Sequence, residues 1–416
     1  MPERPHGHAD SAQLPVSGWQ ALRLCPKPVV IFLYGTFASD VGQGFFRLVL
    51  PWLVYNLNST PEALGTLAAI QFLPGLLLPW LGAIVDRSDV RRVIALASLV
   101  QIAFVTATLV LFVTGRLSLW LIYVAAMLAT GLGMLAYNGQ NVLLRRATPE
   151  RARVSVNALS AIVFTVAWYV SPGLAGPTIS RLGIAWALGI NAFAYVFVLV
   201  PALFLPRTLP DAAATQGVDV LRPAWAALRK APSVLHITLV FAFWNFTWGG
   251  VYALEVFFFR STLHWNAAEV GLVGMAAGLF PVALGVVGPF LAERLRIDHL
   301  LIATLGLSGL GMAILGFVRS PLAAIVAVGL LDGAVAPVSI IMATLSQRQV
   351  ASAVYGRVSA MQSLVVNLPL PAGGALAGVL AQSFGIPATF SVLGVVTLLS
   401  GGAVLRSGLR RLRLDL

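Results

Sequence analysis

Charge is what this chain has least of. Only 15 of its 416 residues are acidic and 27 basic, 10% in all, against roughly 25% in an average soluble domain. With 58% hydrophobic residues, it cannot cover a water-soluble globule with polar side chains. A single cysteine, Cys25, excludes any intramolecular disulfide. The five histidines never fall at metal-ligand spacing within a helix: His6 and His8 lie in the polar N-terminal stretch, and His236, His264 and His299 are scattered. No Ser-His-Asp order and no glycine-rich phosphate loop occurs, so no enzyme, metal or cofactor is expected. Residues 1–28 also lack the charged-then-apolar layout of a cleaved signal peptide.

What fills the chain is a succession of apolar runs, each about the length that crosses a bilayer as a helix. In lipid the backbone must satisfy its hydrogen bonds within each segment, so these runs are helices. The 39 glycines and 24 prolines fit, since both are commoner in membrane helices than in soluble ones. The apolar runs predict spans near 29–55, 64–85, 93–114, 117–144, 154–179 and 184–205. Six more are predicted near 233–263, 270–292, 300–318, 322–345, 354–382 and 387–405. Between the sixth and seventh lies the longest polar interruption, 206–232, with Asp211, Asp219, Arg222, Arg229 and Lys230 and an expected amphipathic helix around 220–228. The expected layout is a tail (1–28), a six-helix bundle (29–205), a linker (206–232), a second bundle (233–405) and a basic tail (406–416). The fold class is therefore all-α and polytopic, with twelve transmembrane helices in two pseudo-symmetric six-helix halves.

The net charge of +12 is placed as a membrane protein places it, not as a nucleic-acid binder does. Of the 27 basic residues, 22 fall in the two tails and the loops that share a side with them; only Arg116, Arg181, Arg260 and Arg319 fall on the other side, and Arg47 lies within a span. Positive residues concentrate on the cytoplasmic side, so both termini are expected in the cytoplasm, with no nucleic-acid partner. A weak internal repeat supports the split into halves. Shifted by 206 residues, Gly44, Gly65 and Gly82 fall on Gly250, Gly271 and Gly288; shifted by 200, Gly133 falls on Gly333.

Charges inside spans are costly and mark functional candidates. Asp40 and Arg47 in span 1, Glu255 in span 7 and Asp332 in span 10 are the candidates for proton coupling. Asp40 and Arg47 share a helix face, roughly 10 Å apart along the axis, too far for an easy bridge. Two readings are open: a structural charge network across the halves, or a carboxylate, Asp40 or Asp332, that takes up and releases a proton. Amide and aromatic side chains nearby have the make-up of a ligand cavity for a small amphiphilic molecule: Gln43, Tyr137, Asn138, Gln140, Asn141, Asn245, Trp248 and Tyr252. The alternative for Trp244 and Trp248 is a lipid-facing position near an interface.

One short stretch carries a resemblance. Gly82-Ala-Ile-Val-Asp86-Arg87-Ser-Asp89-Val-Arg91-Arg92 packs five charged side chains between two spans. It resembles the loop between helices 2 and 3 of the major facilitator superfamily. The resemblance implies that Gly82 allows close helix approach, that Asp86, Arg87, Arg91 and Arg92 form a network holding one half against the other, and that helices 1, 4, 7 and 10 line the cavity. The second copy, Gly288-Pro-Phe-Leu-Ala-Glu293-Arg294-Leu-Arg296, is degenerate. Span 5, with Ser171-Pro172-Gly-Leu-Ala-Gly176-Pro177, resembles the proline–glycine element of proton-coupled exporters, and span 11 has a counterpart in Pro369-Leu-Pro371-Ala-Gly373-Gly374. Bends are expected at both. The arginine common in helix 4 of drug–proton antiporters is missing from Met127-Leu-Ala-Thr-Gly131, which moves the expected coupling to helices 1 and 10. Leu50-Pro51-Trp52, Gln71-Phe-Leu-Pro74 and Tyr355-Gly356-Arg357-Val358 resemble the branch with macrolide efflux proteins and the enterobactin exporter. That implies a monomeric, proton-driven exporter of a small organic molecule, siderophore or drug, in a bacterial inner membrane. An importer of a small solute on the same fold is the alternative; a membrane-embedded sensor or enzyme is more distant.

Overall fold

The computed structural model describes residues 23–205, 221–294 and 296–405. The tail before residue 23, most of the linker and the basic C-terminal tail therefore lie outside the described residues. Among those described there are helices and turns and no strand.

Ten helices are long and apolar enough to cross a membrane, an eleventh span is a bent pair, and a shorter apolar helix, Ile386–Gly402, follows them. Spans 1 and 3–5 are single helices, Lys27–Leu57, Val90–Val113, Leu119–Ala147 and Glu150–Leu182. Span 2 is broken: Pro61–Phe72 passes through a tight turn at Leu73–Leu77 into Leu78–Arg87, a bend of 50°. Pro74 and Pro79 lack backbone donors and force that break. Span 6 is Ile184–Ala194 and Val196–Phe204; a short helix, Leu221–Lys230, precedes span 7, Pro232–Ser261. Span 8 is Ala267–Ala277 and Leu279–Arg294, span 9 Ile297–Leu315, span 10 Pro321–Gly333 and Val335–Gln349, span 11 Ser352–Asn367 and Leu370–Phe384, span 12 Ile386–Leu405.

Side-chain caps set the helix starts. Thr60 accepts from the Ala63 amide, Asp89 from Arg91, and Ser320 from Ala323, each satisfying an orphan N–H of a first turn. Asn266 and Glu269 form a full capping box at span 8. Gly183 (φ 91°) and Gly385 (φ 81°) turn span 5 into 6 and span 11 into 12. Both occupy backbone space that side chains rarely enter, and their equivalent places in the two halves extend the repeat read from the glycines.

Large apolar side chains stay exposed along the bundle, among them Leu96, Val113, Trp120, Phe204, Leu322 and Leu399. Soluble monomers rarely show such continuous patches; here they form the lipid-facing belt. The expected amphipathic helix is present over Leu221–Lys230, with Ala224 and Leu228 buried and Arg229 and Lys230 at its end; residue 220 lies outside the described residues.

The two ends of the bundle differ. The basic face carries the loops at residues 87–90, 147–150 and 349–352; the opposite face carries those at 57–61, 182–184, 261–267 and 384–386. Toward the opposite face two seams join the halves backbone to backbone. A Cβ on Gly65 of span 2 would meet the Gly374 carbonyl at 2.7 Å and Gly378 Cα at 2.8 Å in span 11. A Cβ on Gly271 of span 8 would overlap the Pro172 carbonyl of span 5, and one on Gly176 the Ala267 carbonyl. Gly65 and Gly271 are the pair related by the 206-residue shift, so the repeat places one glycine at each seam. Small residues of this kind are what let membrane helices pack without a gap. Polar contacts complete the closure: Ser180 Oγ accepts from the Ala268 amide at 2.9 Å, and Arg260 donates to Asn56 Oδ1 at 2.9 Å while lying over Trp52 and Tyr55.

One sequence expectation is corrected. Gly82 has open space around it, so its close-approach role is not exercised in this arrangement. Span 5 runs as one continuous helix through Pro172 and Pro177, and the Pro172 carbonyl lies at the seam against Gly271. In span 11 the interruption falls at Leu368–Pro369, and Pro371 lies in the first turn of the following segment.

Candidate transport cavity

Three neighbouring chambers with shared wall residues lie within the bundle. The first, about 300 Å³, lies among spans 1, 4 and 5 and reaches Arg145 near the basic face; Asn141 and Asn157 line it. The second and largest, about 450 Å³, is walled by spans 1 to 7. Asp40, Tyr137, Gln140 and Phe164 belong to both, so Asp40 stands at their junction. The third, about 120 Å³, lies between the halves, with Glu255 and Asp332 in its wall; Arg47, Trp168 and Tyr252 are shared with the second.

The four intramembrane charges do not pair. Among the described residues none of Asp40, Glu255 and Asp332 forms an ion pair within 4.0 Å. Arg47 turns away from Asp40: its Nη2 donates to the Trp168 carbonyl at 3.1 Å and to Ser171 Oγ at 3.2 Å, and its guanidinium lies 3.3 Å from the Trp168 ring centroid. Gly44 provides the room, since a Cβ there would collide with the Ser171 side chain. The structural charge network read as one possibility from the sequence is therefore absent. Asp332 Oδ1 instead accepts from Trp248 Nε1 at 2.8 Å.

Aromatic rings organise the walls. Trp244, Trp248 and Tyr252 stack along one face of span 7, at 6.1 and 5.0 Å between centroids. Phe72, beside the span 2 break, meets Trp248 and Tyr252 at 6.2 and 5.6 Å, which ties the two halves at the cavity. Tyr137, Phe164 and Trp168 form a second series at 5.3 and 6.0 Å. Centroids 4.5–7 Å apart are the favourable range for such pairs.

Of the sequence candidates, Asp40, Gln43, Arg47, Tyr137 and Tyr252 line the central chamber, Asn141 the outer one, and Trp248, Glu255 and Asp332 the one between the halves. Two do not. Asn138 donates to the Met134 carbonyl of its own helix at 2.9 Å. Asn245, buried, donates to the Val366 carbonyl at 2.9 Å, joining spans 7 and 11. Trp244 is neither a cavity residue nor lipid-facing: it is 2% exposed and donates to Ser308 Oγ at 2.8 Å. Nor do only spans 1, 4, 7 and 10 contribute; Gln71 of span 2, Gln101 of span 3, Trp168 of span 5 and Tyr195 of span 6 were missed and line the central chamber. Gln101, a lone amide in an apolar run, was the available signal.

The charged loop sits on the basic face. Asp89 pairs with Arg92 at 3.7 Å and with Arg91 at 4.0 Å, and Arg91 Nη1 donates to the Leu203 and Leu205 carbonyls at 3.3 Å. These partners belong to the first half, capping the end of span 6.

A helical bundle with an acid- and amide-lined interior cavity, sealed by glycine seams toward one face, is a membrane transporter. The chain belongs to the Major Facilitator Superfamily: that family's model matches residues 32–369 and 250–412. It is 27% identical over 402 residues to the MFS-type transporter y4rN of Sinorhizobium fredii, covering 93% of this chain and 96% of that one. It is 27% identical to the multidrug efflux pump Tap of Mycolicibacterium fortuitum (90% and 94% covered) and 26% to the enterobactin exporter EntS of Citrobacter koseri (90% and 89%). Among solved structures it is similar to the nucleoside transporter NupG, with a TM-score of 0.75 at 12% identity (92% and 99% covered). It is also similar to a bacterial homologue of the iron transporter ferroportin in an inward-facing state, at 0.72 and 15% (91% and 98%). At those identities the structural likeness concerns the fold.

Proposed function

We propose that this transporter exports a small organic molecule, of drug or siderophore type, from the cytoplasm across a bacterial inner membrane, in exchange for protons. The observation that carries the reading is Asp40: a half-buried carboxylate with no ion pair within 4.0 Å among the described residues, in the wall shared by the chamber nearest the basic face and the central cavity. A buried carboxylate without a counter-charge favours its protonated form, and one reached by water favours release. The basic face is the cytoplasmic one by charge placement, so both termini are cytoplasmic and the cavity in this arrangement loads from inside. The halves, 29–205 and 233–405, then rock about the seams as a monomer, with the charged loop engaging when the basic face closes. The two named efflux relatives add support for export over import.

The test uses inverted membrane vesicles with an acid interior, followed by a pH-sensitive dye. Addition of a transported compound should release protons from the vesicles, and labelled compound should accumulate inside until a protonophore is added. Accumulation only against the opposite gradient would assign import instead.

A further inference from the structure

Span 6 carries two buried polar atoms that no hydrogen bond satisfies. Tyr195 is 2% exposed and Asn191 fully buried, and among the described residues neither the Tyr195 hydroxyl nor Asn191 Oδ1 has a hydrogen-bond partner. Buried groups of this kind are ordinarily paired, and leaving one unpaired is costly. Four residues apart, the two share a helix face. Tyr195 is also where span 6 is interrupted, between Ile184–Ala194 and Val196–Phe204.

Both lie against the part of span 1 that holds Asp40. Asn191 Nδ2 donates to the Gly42 carbonyl at 2.7 Å. A Cβ on Gly42 would collide with that of Ala194, so spans 1 and 6 meet there closely. The contact sets Tyr195 in the wall of the central chamber, which Asp40 and Gln43 also line. Its hydroxyl lies within range of the Asp40 charge and next to the Asn191 and Gln43 amides, short of hydrogen-bond geometry with either.

The other titratable groups around Asp40 are placed differently. Arg47 of span 1 is held by Trp168 and Ser171. Tyr137 of span 4 is exposed, as is Arg145 at the outer chamber. Tyr252 of span 7 faces Arg47, Glu255 and Asp332. Spans 2, 3 and 5 bring only amide, hydroxyl, apolar and aromatic side chains to the two chambers that Asp40 lines.

We infer that Tyr195 is a positioning residue for proton coupling, a neutral hydroxyl that serves the two charge states of Asp40 in turn. When Asp40 is ionised, the Tyr195 hydroxyl donates to its carboxylate. When Asp40 takes up a proton, the hydroxyl turns to Asn191 Oδ1. A phenol O–H rotates to suit its acceptor, and Tyr195 keeps its own proton throughout. In the arrangement described here it is bonded to neither. Span 6, which has no charged residue, thus enters the coupling. This rests on Asp40 as the proton carrier, but not on the substrate or the direction of transport.

The experiment is a pH titration of purified full-length protein, without substrate or gradient, followed by infrared difference spectroscopy. The protonated-carboxyl band that Asp40→Asn removes identifies Asp40. In Tyr195→Phe, which keeps the ring and drops the hydroxyl, that band should persist to higher pH. A donor to the ionised carboxylate favours that form, so its loss should move the midpoint up by about one unit, roughly a tenfold change in proton affinity. In the wild-type chain, bands of isotope-labelled tyrosine should change at the same midpoint as the carboxyl band, and that change should vanish in Tyr195→Phe. An unchanged midpoint in monodisperse Tyr195→Phe protein would overturn the inference. So would wild-type tyrosine bands that stay constant through the titration, a result that needs no variant. Absence of any carboxyl band that depends on Asp40 would overturn the Asp40 reading and this inference with it. Because the readout is protonation, a failure confined to Tyr195 leaves the export reading to its vesicle test, and failure there leaves the Tyr195 result standing.

Discussion

Asp40→Asn should abolish gradient-driven accumulation, by at least tenfold, while leaving the folded protein and its substrate counterflow intact. The reasoning turns on what Asp40 lacks. Had it been half of a buried ion pair, removing its charge would strand the partner at about 3–5 kcal/mol. Among the described residues it has no ion-pair partner within 4.0 Å, and the Arg47 guanidinium, two turns along the same helix face, donates to Trp168 and Ser171. Asparagine keeps the shape and the neutral state, and a lone carboxylate in a span is itself disfavoured by a few kcal/mol. Stability should therefore hold within about 1 kcal/mol of wild type, or rise, a change of a few degrees at most in Tm. What disappears is the ability to carry a proton. The check is two assays on one variant: driven uptake into inverted vesicles, and exchange of labelled for unlabelled substrate at equal pH. Intact driven uptake would remove Asp40 from the coupling, and a markedly destabilised protein would restore the structural reading.

Gly271→Leu should trap the transporter away from the arrangement described here. The Gly271 Cα lies against the Pro172 carbonyl so closely that even a Cβ overlaps it, and both partners are main chain, which cannot swing aside. Overpacking of this kind costs about 1–3 kcal/mol, a shift of roughly 5–150-fold in a two-state equilibrium. That cost falls only on the state in which spans 5 and 8 touch. The protein should still insert, since the seam parts without exposing a buried charge, but transport should fall by more than tenfold. Residues of the seam such as Val270, now buried, should become reactive as cysteines from the opposite face. Normal transport in this variant would show that the seam is not a gate.

The sequence made the bundle legible because lipid imposes one rule on every span: apolar length, with charge at the ends. Span limits came within a few residues wherever a cap or a positive-φ glycine stood, as at Thr60, Asn266, Gly183 and Gly385. The breaks in spans 8 and 10, at Gly278 and Ala334, each fall one turn before a proline, Pro281 and Pro337, whose ring disturbs the carbonyl four residues back; the break in span 6 at Tyr195 has no such mark, and apolar periodicity continues across it. For the cavity, charge in a span was a sound guide: Asp40, Arg47, Glu255 and Asp332 all face it. Amides were a poorer one. Asn138 and Asn245 found backbone carbonyls instead, while Gln71 and Gln101 carried no mark beyond being polar. Which amide faces a cavity depends on helix rotation, and rotation is set by partners distant in sequence, such as the glycine seams. The partners of Arg47 were equally hidden, because Ser171 reaches it only through the space left by Gly44.

The central claim is that the chamber around Asp40 opens to the cytoplasm while the other face is sealed. With Cys25 replaced by serine, a single cysteine at Asn141, which lines the outer chamber and is exposed, reports on it through a membrane-impermeant maleimide. Labelling should be complete in inverted vesicles and absent in intact spheroplasts at rest. Labelling from the periplasmic side in resting spheroplasts, with none in inverted vesicles, would contradict the account.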